Sequence, residues 1–270
     1  MHVTVNGIGL AYTDRGEGLP IVFLHAFPLN RTMWTAQEAA LAPSYRVVTI
    51  DLRGHGESDA PLWHYSLDQT ADDVRALLDH LAIRQAVFVG LSMGGYLLFA
   101  LYRKYADRIR AMVLADTKAQ EDSPEGKAGR FQMAQVAYTK GPSAIADIMI
   151  PKLLSPATIR TRPEIVQHVR RMIEGNQISG IAGDLMAMAE RPDSRPLLRQ
   201  ITCPTQIIVG ELDQATPLAD AQLMADQITG SHLAVIQDAA HLANLEQSDR
   251  FNRLIINFIS RLKNERRAHS

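Results

Sequence analysis

This sequence predicts an α/β fold: a mostly parallel, twisted sheet with an antiparallel hairpin at the N-terminus and a helical segment inserted late in the chain. Three observations carry the prediction. Short apolar runs such as Ile21-Val22-Phe23-Leu24 and Ala86-Val87-Phe88-Val89 read as strands buried on both faces. These runs alternate with segments of helical period, the pattern of a sheet covered by helices on both sides. From about residue 117 to residue 200 the alternation stops and only helical patterning remains.

The first element is a hairpin, His2-Val3-Thr4-Val5 followed by Asn6-Gly7 and a strand over 8–13. Asn-Gly supplies the two positive-φ positions of a tight turn. A strand at 21–24, a helix over about 32–41 and a strand at 46–52 follow. Ser66-Leu67-Asp68-Gln69 has the form of a capping box and opens a helix to about residue 81, with Val74, Leu77, Leu78 and Leu81 on one face. A strand at 86–90, a helix over 93–105 and a strand at 109–115 complete the first stretch. Inside the insertion, Thr161-Arg162-Pro163-Glu164 reads as a second capping box. It starts a helix with Ile165, Val166, Val169, Met172 and Ile173 in one stripe that stops at Gly175-Asn176. Another helix covers 178–190 and ends at Arg191-Pro192-Asp193. The alternation resumes with a strand at 205–209, a helix over 217–228, a strand at 232–237 and a helix over 245–262. The division expected is one α/β core, residues 1–116 and 201–270, interrupted by a helical cap at 117–200, with no repeat and no low-complexity tract.

Composition excludes several classes of function. Hydrophobic residues make up 46% and charged residues 21% of the chain, enough to bury a core without staples. A net charge of −1 offers no basic field, so neither nucleic acid nor an anionic membrane is an expected partner. The basic run from Arg261 to Arg267 reads as the solvated end of the last helix. With Cys203 as the one cysteine, no disulfide can form within the chain, and its place before Pro204 suits a small buried filler. No basic start leads into an apolar leader. The uncharged run from Ala86 to Tyr102 is too short for a membrane span and is broken by Gly90, Ser92, Gly94 and Gly95. A soluble, cytoplasmic protein is expected. No metal-ligand spacing and no dinucleotide fingerprint occur, so neither a metal nor another cofactor is expected.

Gly90-Leu91-Ser92-Met93-Gly94 is a G-x-S-x-G string between an apolar strand and an apolar helix, the setting in which a serine is lifted above a sheet on a sharp turn. A serine hydroxyl needs a base, and the base needs an orienting acid. Of the nine histidines, His241 alone follows the last strand, in the loop that begins Gln237-Asp238-Ala239-Ala240. His80 and His168 have ordinary surface readings, and His232 begins a strand at its far end from any site. Asp213, after Ile207-Ile208-Val209-Gly210, is the expected acid and completes the order Ser, Asp, His. Asp116, which ends the preceding strand, is its rival. Oxyanion donors are expected in the N–H of Met93 and in that of Phe27, within His25-Ala26-Phe27-Pro28, because Pro28 has no N–H. His25 reads as a brace for that loop.

At these residues the chain resembles the α/β-hydrolases. His25-Ala26-Phe27-Pro28, Asp51-Leu52-Arg53-Gly54-His55-Gly56-Glu57-Ser58, Gly90-Leu91-Ser92-Met93-Gly94-Gly95, Gly210-Glu211-Leu212-Asp213 and Ala239-Ala240-His241 look like that superfamily's elements over nearly the whole chain. The nearest branch is that of small carboxylesterases, cofactor-free haloperoxidase-like perhydrolases and lactone hydrolases. The resemblance implies the α/β-hydrolase fold, acyl transfer through Ser92, His241 and Asp213, and a small to medium apolar ester or lactone as substrate. Serine at the elbow, where dehalogenases and epoxide hydrolases use a carboxylate, disfavours those branches. Ala26 departs from the usual glycine, and its Cβ restricts φ where Phe27 must be placed. Pro28 has two readings: it stiffens the loop, or its carbonyl accepts a hydrogen bond from peroxide at the acyl-enzyme. Met133, Met149, Met172, Met186 and Met188 fall in the insertion and suit an adaptable apolar pocket or plain helix packing. A C–C hydrolase or lyase, and a ligand receptor that keeps the three residues, remain alternatives.

Overall fold

In a computed structural model, residues 1–268 are described, with side chains described through Leu262. The basic stretch beyond Leu262 therefore has no described side chains, and His269 lies outside the described residues. Eight strands form one sheet: β1 (His2–Val5), β2 (Ile8–Arg15), β3 (Pro20–Leu24), β4 (Arg46–Ile50), β5 (Ala86–Leu91), β6 (Ile109–Ala115), β7 (Thr205–Gly210) and β8 (His232–Ile236). Their order is β1-β2-β4-β3-β5-β6-β7-β8. β1 and β2 form the expected hairpin, with Asn6 at φ 49° and Gly7 at φ 77°. β2 runs antiparallel to β4, and every later pairing is parallel. The central strands carry no polar face: Ile21 to Leu24 and Ala86 to Leu91 are all buried, as their unbroken apolar runs require.

Helices cover the sheet as the sequence indicates: α1 (Thr35–Leu41), α2 (Leu67–His80) and α3 (Met93–Tyr105). The Ser66 capping box is formed, with Ser66 accepting the Gln69 N–H and the Gln69 side chain accepting the Ser66 N–H. Every residue of α3 from Met93 to Tyr102 is buried, so its uncharged sequence is that of an internal helix. Among the described residues no helix is long and apolar enough to cross a membrane.

Between β6 and β7 the chain is helical: α4 (Pro124–Leu153), α5 (Pro156–Thr161), α6 (Pro163–Glu174), α7 (Ile178–Ala189) and α8 (Arg195–Leu198). α4 is kinked at Gly141, φ 80°, just before Pro142. The expected capping box at Thr161 does not form. Ser155 caps α5 instead, so Thr161 falls in that helix's last turn and its hydroxyl donates to the Ala157 carbonyl. Arg162 then separates the helices with no side-chain cap. The last helix also differs from expectation. A short α10 (Ala243–Glu246) precedes α11 (Ser248–Ala268), with α9 (Leu218–Gln227) earlier between β7 and β8. The break at Gln247, φ −131° and ψ 52°, leaves the buried Glu246 side chain to accept the N–H groups of Ser155 and Ala240.

The strand order reverses between β3 and β5, and crevices at such switch points lie at the carboxyl ends of the strands. The loops after β3 and β5 therefore open side by side, with Leu24 in register with Gly90.

Candidate active site

Ser92 sits at this switch point with φ 54° and ψ −111°, a conformation that costs a non-glycine residue of order 1–3 kcal/mol. The surroundings hold it there. Its N–H donates to the Ala115 carbonyl at 3.0 Å, and its carbonyl accepts the Thr117 hydroxyl at 2.8 Å. The flanking glycines are required by space, since a Cβ at Gly90 would stand 2.4 Å from the Gly94 carbonyl oxygen, and one at Gly94 would stand 2.2 Å from that of Leu24. Although Ser92 precedes α3, its side chain makes no capping hydrogen bond, which leaves Oγ free at the positive end of a buried helix.

Asp213 and His241 leave the ends of β7 and β8. Their loops are joined through the backbone, with Leu212 N–H donating to the Ala239 carbonyl at 2.8 Å. His241 Nδ1 lies 2.8 Å from Asp213 Oδ2, and both residues are buried. Burial alone would raise the Asp213 carboxyl. The His241 charge and hydrogen bond, with the Thr216 hydroxyl and N–H, hold it below the ordinary carboxylate value. Asp116 takes a different place. Its Oδ1 accepts the Gly210 N–H at 2.7 Å, and among the described residues the carboxylate partner of His241 Nδ1 is Asp213 and not Asp116.

The loop after β3 carries Phe27. Among the described residues neither the Phe27 nor the Met93 N–H has an acceptor within the protein. Ala26 has no positive φ, so the alanine fits where glycine was expected, and its N–H is occupied by Met33 Sδ at 3.3 Å. His25 braces the loop as anticipated. Its Nε2 accepts the Leu52 N–H at 3.0 Å, which leaves Nδ1 to donate to the Ala26 carbonyl. Burial lowers its pKa to about 4, against a small opposing effect of that hydrogen bond, so it is neutral at physiological pH. The Pro28 carbonyl accepts Asn176 Nδ2 at 2.7 Å, which uses one of its two lone pairs.

A cleft of about 390 Å³ opens beside the Asp213 and His241 loops, between Pro151, Lys152, Leu154 and Pro156 of the insertion and Leu212, Gln214, Ala215 and Ala240 of the core. The five methionines of the insertion do not line it. Met172 and Met188 are buried in the core, and Met133, Met149 and Met186 pack against it half-buried. Cys203 is half-buried rather than fully buried, and desolvation pushes its thiol up to about 11, so it stays protonated.

Sequence reasoning missed three supporting residues. Thr216 donates its hydroxyl to Asp213 Oδ2 at 2.7 Å, and its place three residues after Asp213 was a legible signal. Glu246 ties the His241 loop to the insertion through Ala240, Ser155 and Thr158. Asn176 joins two loops from a distance, and no local pattern marks it.

Comparison with known proteins agrees with this fold. The family described as alpha/beta hydrolase fold matches residues 20–248. The chain is 33% identical to 3-oxoadipate enol-lactonase 2 of Acinetobacter baylyi over 255 residues, 94% of each chain. Among solved structures it is similar to a thermophilic esterase from Thermogutta terrifontis, with 41% identity, TM-score 0.94 and coverage of 97% and 98% of the two chains. It is similar also to the enol-lactonase of Burkholderia xenovorans, with 33% identity, TM-score 0.91 and coverage of 96% and 100%.

Proposed function

Because this chain belongs to the α/β-hydrolase family, we propose that it hydrolyses a small to medium, mostly apolar carboxylic ester or lactone through an acyl-enzyme on Ser92. The observation that carries this reading is the 2.8 Å contact of Asp213 with His241 Nδ1, on the same sheet edge as a serine elbow whose Oγ is free. The enol-lactonase and esterase relatives support the choice of ester or lactone.

In this mechanism Ser92 Oγ attacks the carbonyl carbon while His241 Nε2 takes its proton. Asp213 fixes the imidazole tautomer that presents Nε2 as the base and stabilises the imidazolium. The N–H groups of Phe27 and Met93 hold the oxyanion, and their lack of internal acceptors leaves them available. His241 returns the proton to the leaving oxygen, which departs from an ester and stays tethered in a lactone. Water, activated by the same imidazole, then releases the acid. The helices of 117–200 act as the cap, and the cleft at the junction of α4 and α5, apolar but for Lys152 and Gln214, receives the acyl or alcohol group.

A serine-directed phosphonate combined with a panel of p-nitrophenyl esters and lactones tests the reading. Labelling at Ser92 with steady turnover supports it. Labelling elsewhere overturns the nucleophile, binding without turnover marks a receptor, and cleavage of a carbon–carbon bond in place of esters marks a different hydrolase.

A further inference from the structure

Asn176 belongs to the turn between α6 and α7, within the insertion, yet it is buried against the core. Its Nδ2 donates to the Pro28 carbonyl at 2.7 Å, and its Oδ1 accepts the Gly56 N–H at 2.8 Å. One side-chain amide thus bridges the loop after β3 and the loop after β4. The bridge needs a donor and an acceptor a fixed distance apart, which a side-chain amide provides at any pH.

The surroundings hold Asn176 in place. α7 meets the core backbone to backbone, because a Cβ at Gly180 would stand 1.7 Å from the Gly54 carbonyl oxygen. Tyr65 adds a hydrogen bond from its hydroxyl to the Gly180 carbonyl at 3.1 Å. On the other side of the bridge, Leu29 N–H donates to the Ala26 carbonyl at 2.9 Å and closes a turn with Phe27 and Pro28 at its centre. Fixing the Pro28 carbonyl therefore fixes the turn that presents the Phe27 N–H.

We propose that Asn176 is a positioning residue that holds the Phe27 N–H in the oxyanion hole through the Pro28 carbonyl, so that the insertion is part of the catalytic framework and not only a cover. The proposal rests on the reading of Phe27 and Met93 as oxyanion donors. A donor displaced by as little as 1 Å loses most of its effect on a developing charge, on the order of 100-fold in rate.

The test pairs Asn176→Leu, which keeps the branched shape and removes both hydrogen bonds, with Asn176→Ala, which removes them without adding bulk. Two ligands are compared for each protein. An aryl trifluoromethyl ketone reacts with the enzyme: Ser92 Oγ bonds to the ketone carbon, its proton passes to His241, and the carbonyl oxygen becomes an oxyanion. The matching secondary alcohol occupies the pocket without forming one. Both variants are expected to lose roughly 10–100-fold in kcat with KM within about threefold, and to bind the ketone more weakly by the same factor. Alcohol affinity should stay within about threefold of wild type. The proposal is overturned if ketone affinity is unchanged in a folded variant, or if ketone and alcohol affinities fall together. Wild type that never reacts with the ketone removes the Ser92 reading itself, whereas normal reaction in wild type and both variants removes only the role of Asn176.

Discussion

Asp116 Oδ1 accepts the N–H of Gly210 at 2.7 Å, which ties the end of β6 to the strand that leads to Asp213. The two carboxyl groups are shifted in opposite directions. Burial first, and the nearby charge of Asp213 second, push Asp116 well above the ordinary carboxylate range. Asp213 is held below that range despite its burial, by His241 and Thr216. Asp116 thus fastens two strands at a position where burial disfavours its charge, and Asp213 is the carboxylate partner of the histidine.

That division predicts different outcomes for the two amides. Asp213→Asn should lower kcat by about 10⁴-fold, because the amide favours the imidazole tautomer that cannot accept the serine proton. Asp116→Asn keeps an acceptor for the Gly210 N–H and removes a charge that burial already disfavours, so kcat should stay within about tenfold. Steady-state kinetics with one activated ester decides the matter, and reversed effects would move the acid to β6.

Thr216 shares Asp213 Oδ2 with His241, at 2.7 Å from the threonine oxygen. Thr216→Val keeps the shape and removes a hydrogen bond to a charged group, worth about 1.5–3 kcal/mol. We expect kcat to fall roughly 10–100-fold with little change in KM. An unchanged kcat would show that the backbone N–H groups of Ala215 and Thr216 on Oδ1 suffice to hold the carboxylate.

The residues proposed as nucleophile, base and acid are each marked locally in the sequence. Ser92 stands between glycines that the elbow cannot do without, and Asp213 and His241 follow apolar strands in the order the fold demands. The rest of the site was not legible, for a physical reason: its bonds are made across the chain. Asn176 reaches Pro28 over 148 positions, and Glu246 reaches Ser155 over 91. Neither has a periodicity or a neighbour that announces its role. The extent of α4 was hidden by Gly141-Pro142, a pair that reads as an end and is here a kink, although Ser123-Pro124 is a sound start. At Thr161 a correct motif failed because Ser155-Pro156 had already begun a helix that runs through it.

The two crossings between core and insertion are pinned by charge. Asp122 pairs with Arg191 at 2.8 Å and also with Arg130, and the Arg191 guanidinium lies 4.1 Å from the centre of the Tyr96 ring. Burial opposes the Asp122 charge, but the two guanidiniums hold its pKa well below the ordinary value. A depressed carboxyl stabilises the fold above the unfolded-state value and loses that effect as pH falls toward the folded one. Asp122→Ala should therefore cost about 3–5 kcal/mol at pH 7, because it leaves buried Arg191 unpaired. The loss should shrink as the pH is lowered below about 4. Urea unfolding at pH 7 and pH 3 measures both, and an equal loss at the two values would assign the effect to packing alone.

A second polar seam behaves in the opposite sense. Asp184 of α7 is buried, and its Oδ2 lies 3.2 Å from His55 Nδ1 without the alignment of a hydrogen bond. Tyr65 and Arg53 face it from the core, with Arg53 engaged by Asp73 at 2.6 Å. Burial raises the Asp184 carboxyl to about 8, outweighing Tyr65 and Arg53, and burial lowers His55 to about 3, so both are neutral at pH 7. Between the ordinary carboxylate value and about 8 the folded protein keeps a proton that the unfolded chain has lost. Unfolding then releases that proton, so stability falls as pH rises through this window and levels off above it. The slope reaches about 1.4 kcal/mol per pH unit, or roughly 2–4 °C in Tm per unit for a chain of this size. Asp184→Asn has no such proton to lose. Its Tm relative to wild type should rise steadily from pH 5 to pH 8 and then stay constant. A difference that does not vary with pH over this range would mean that the Asp184 carboxyl is not raised in the folded state.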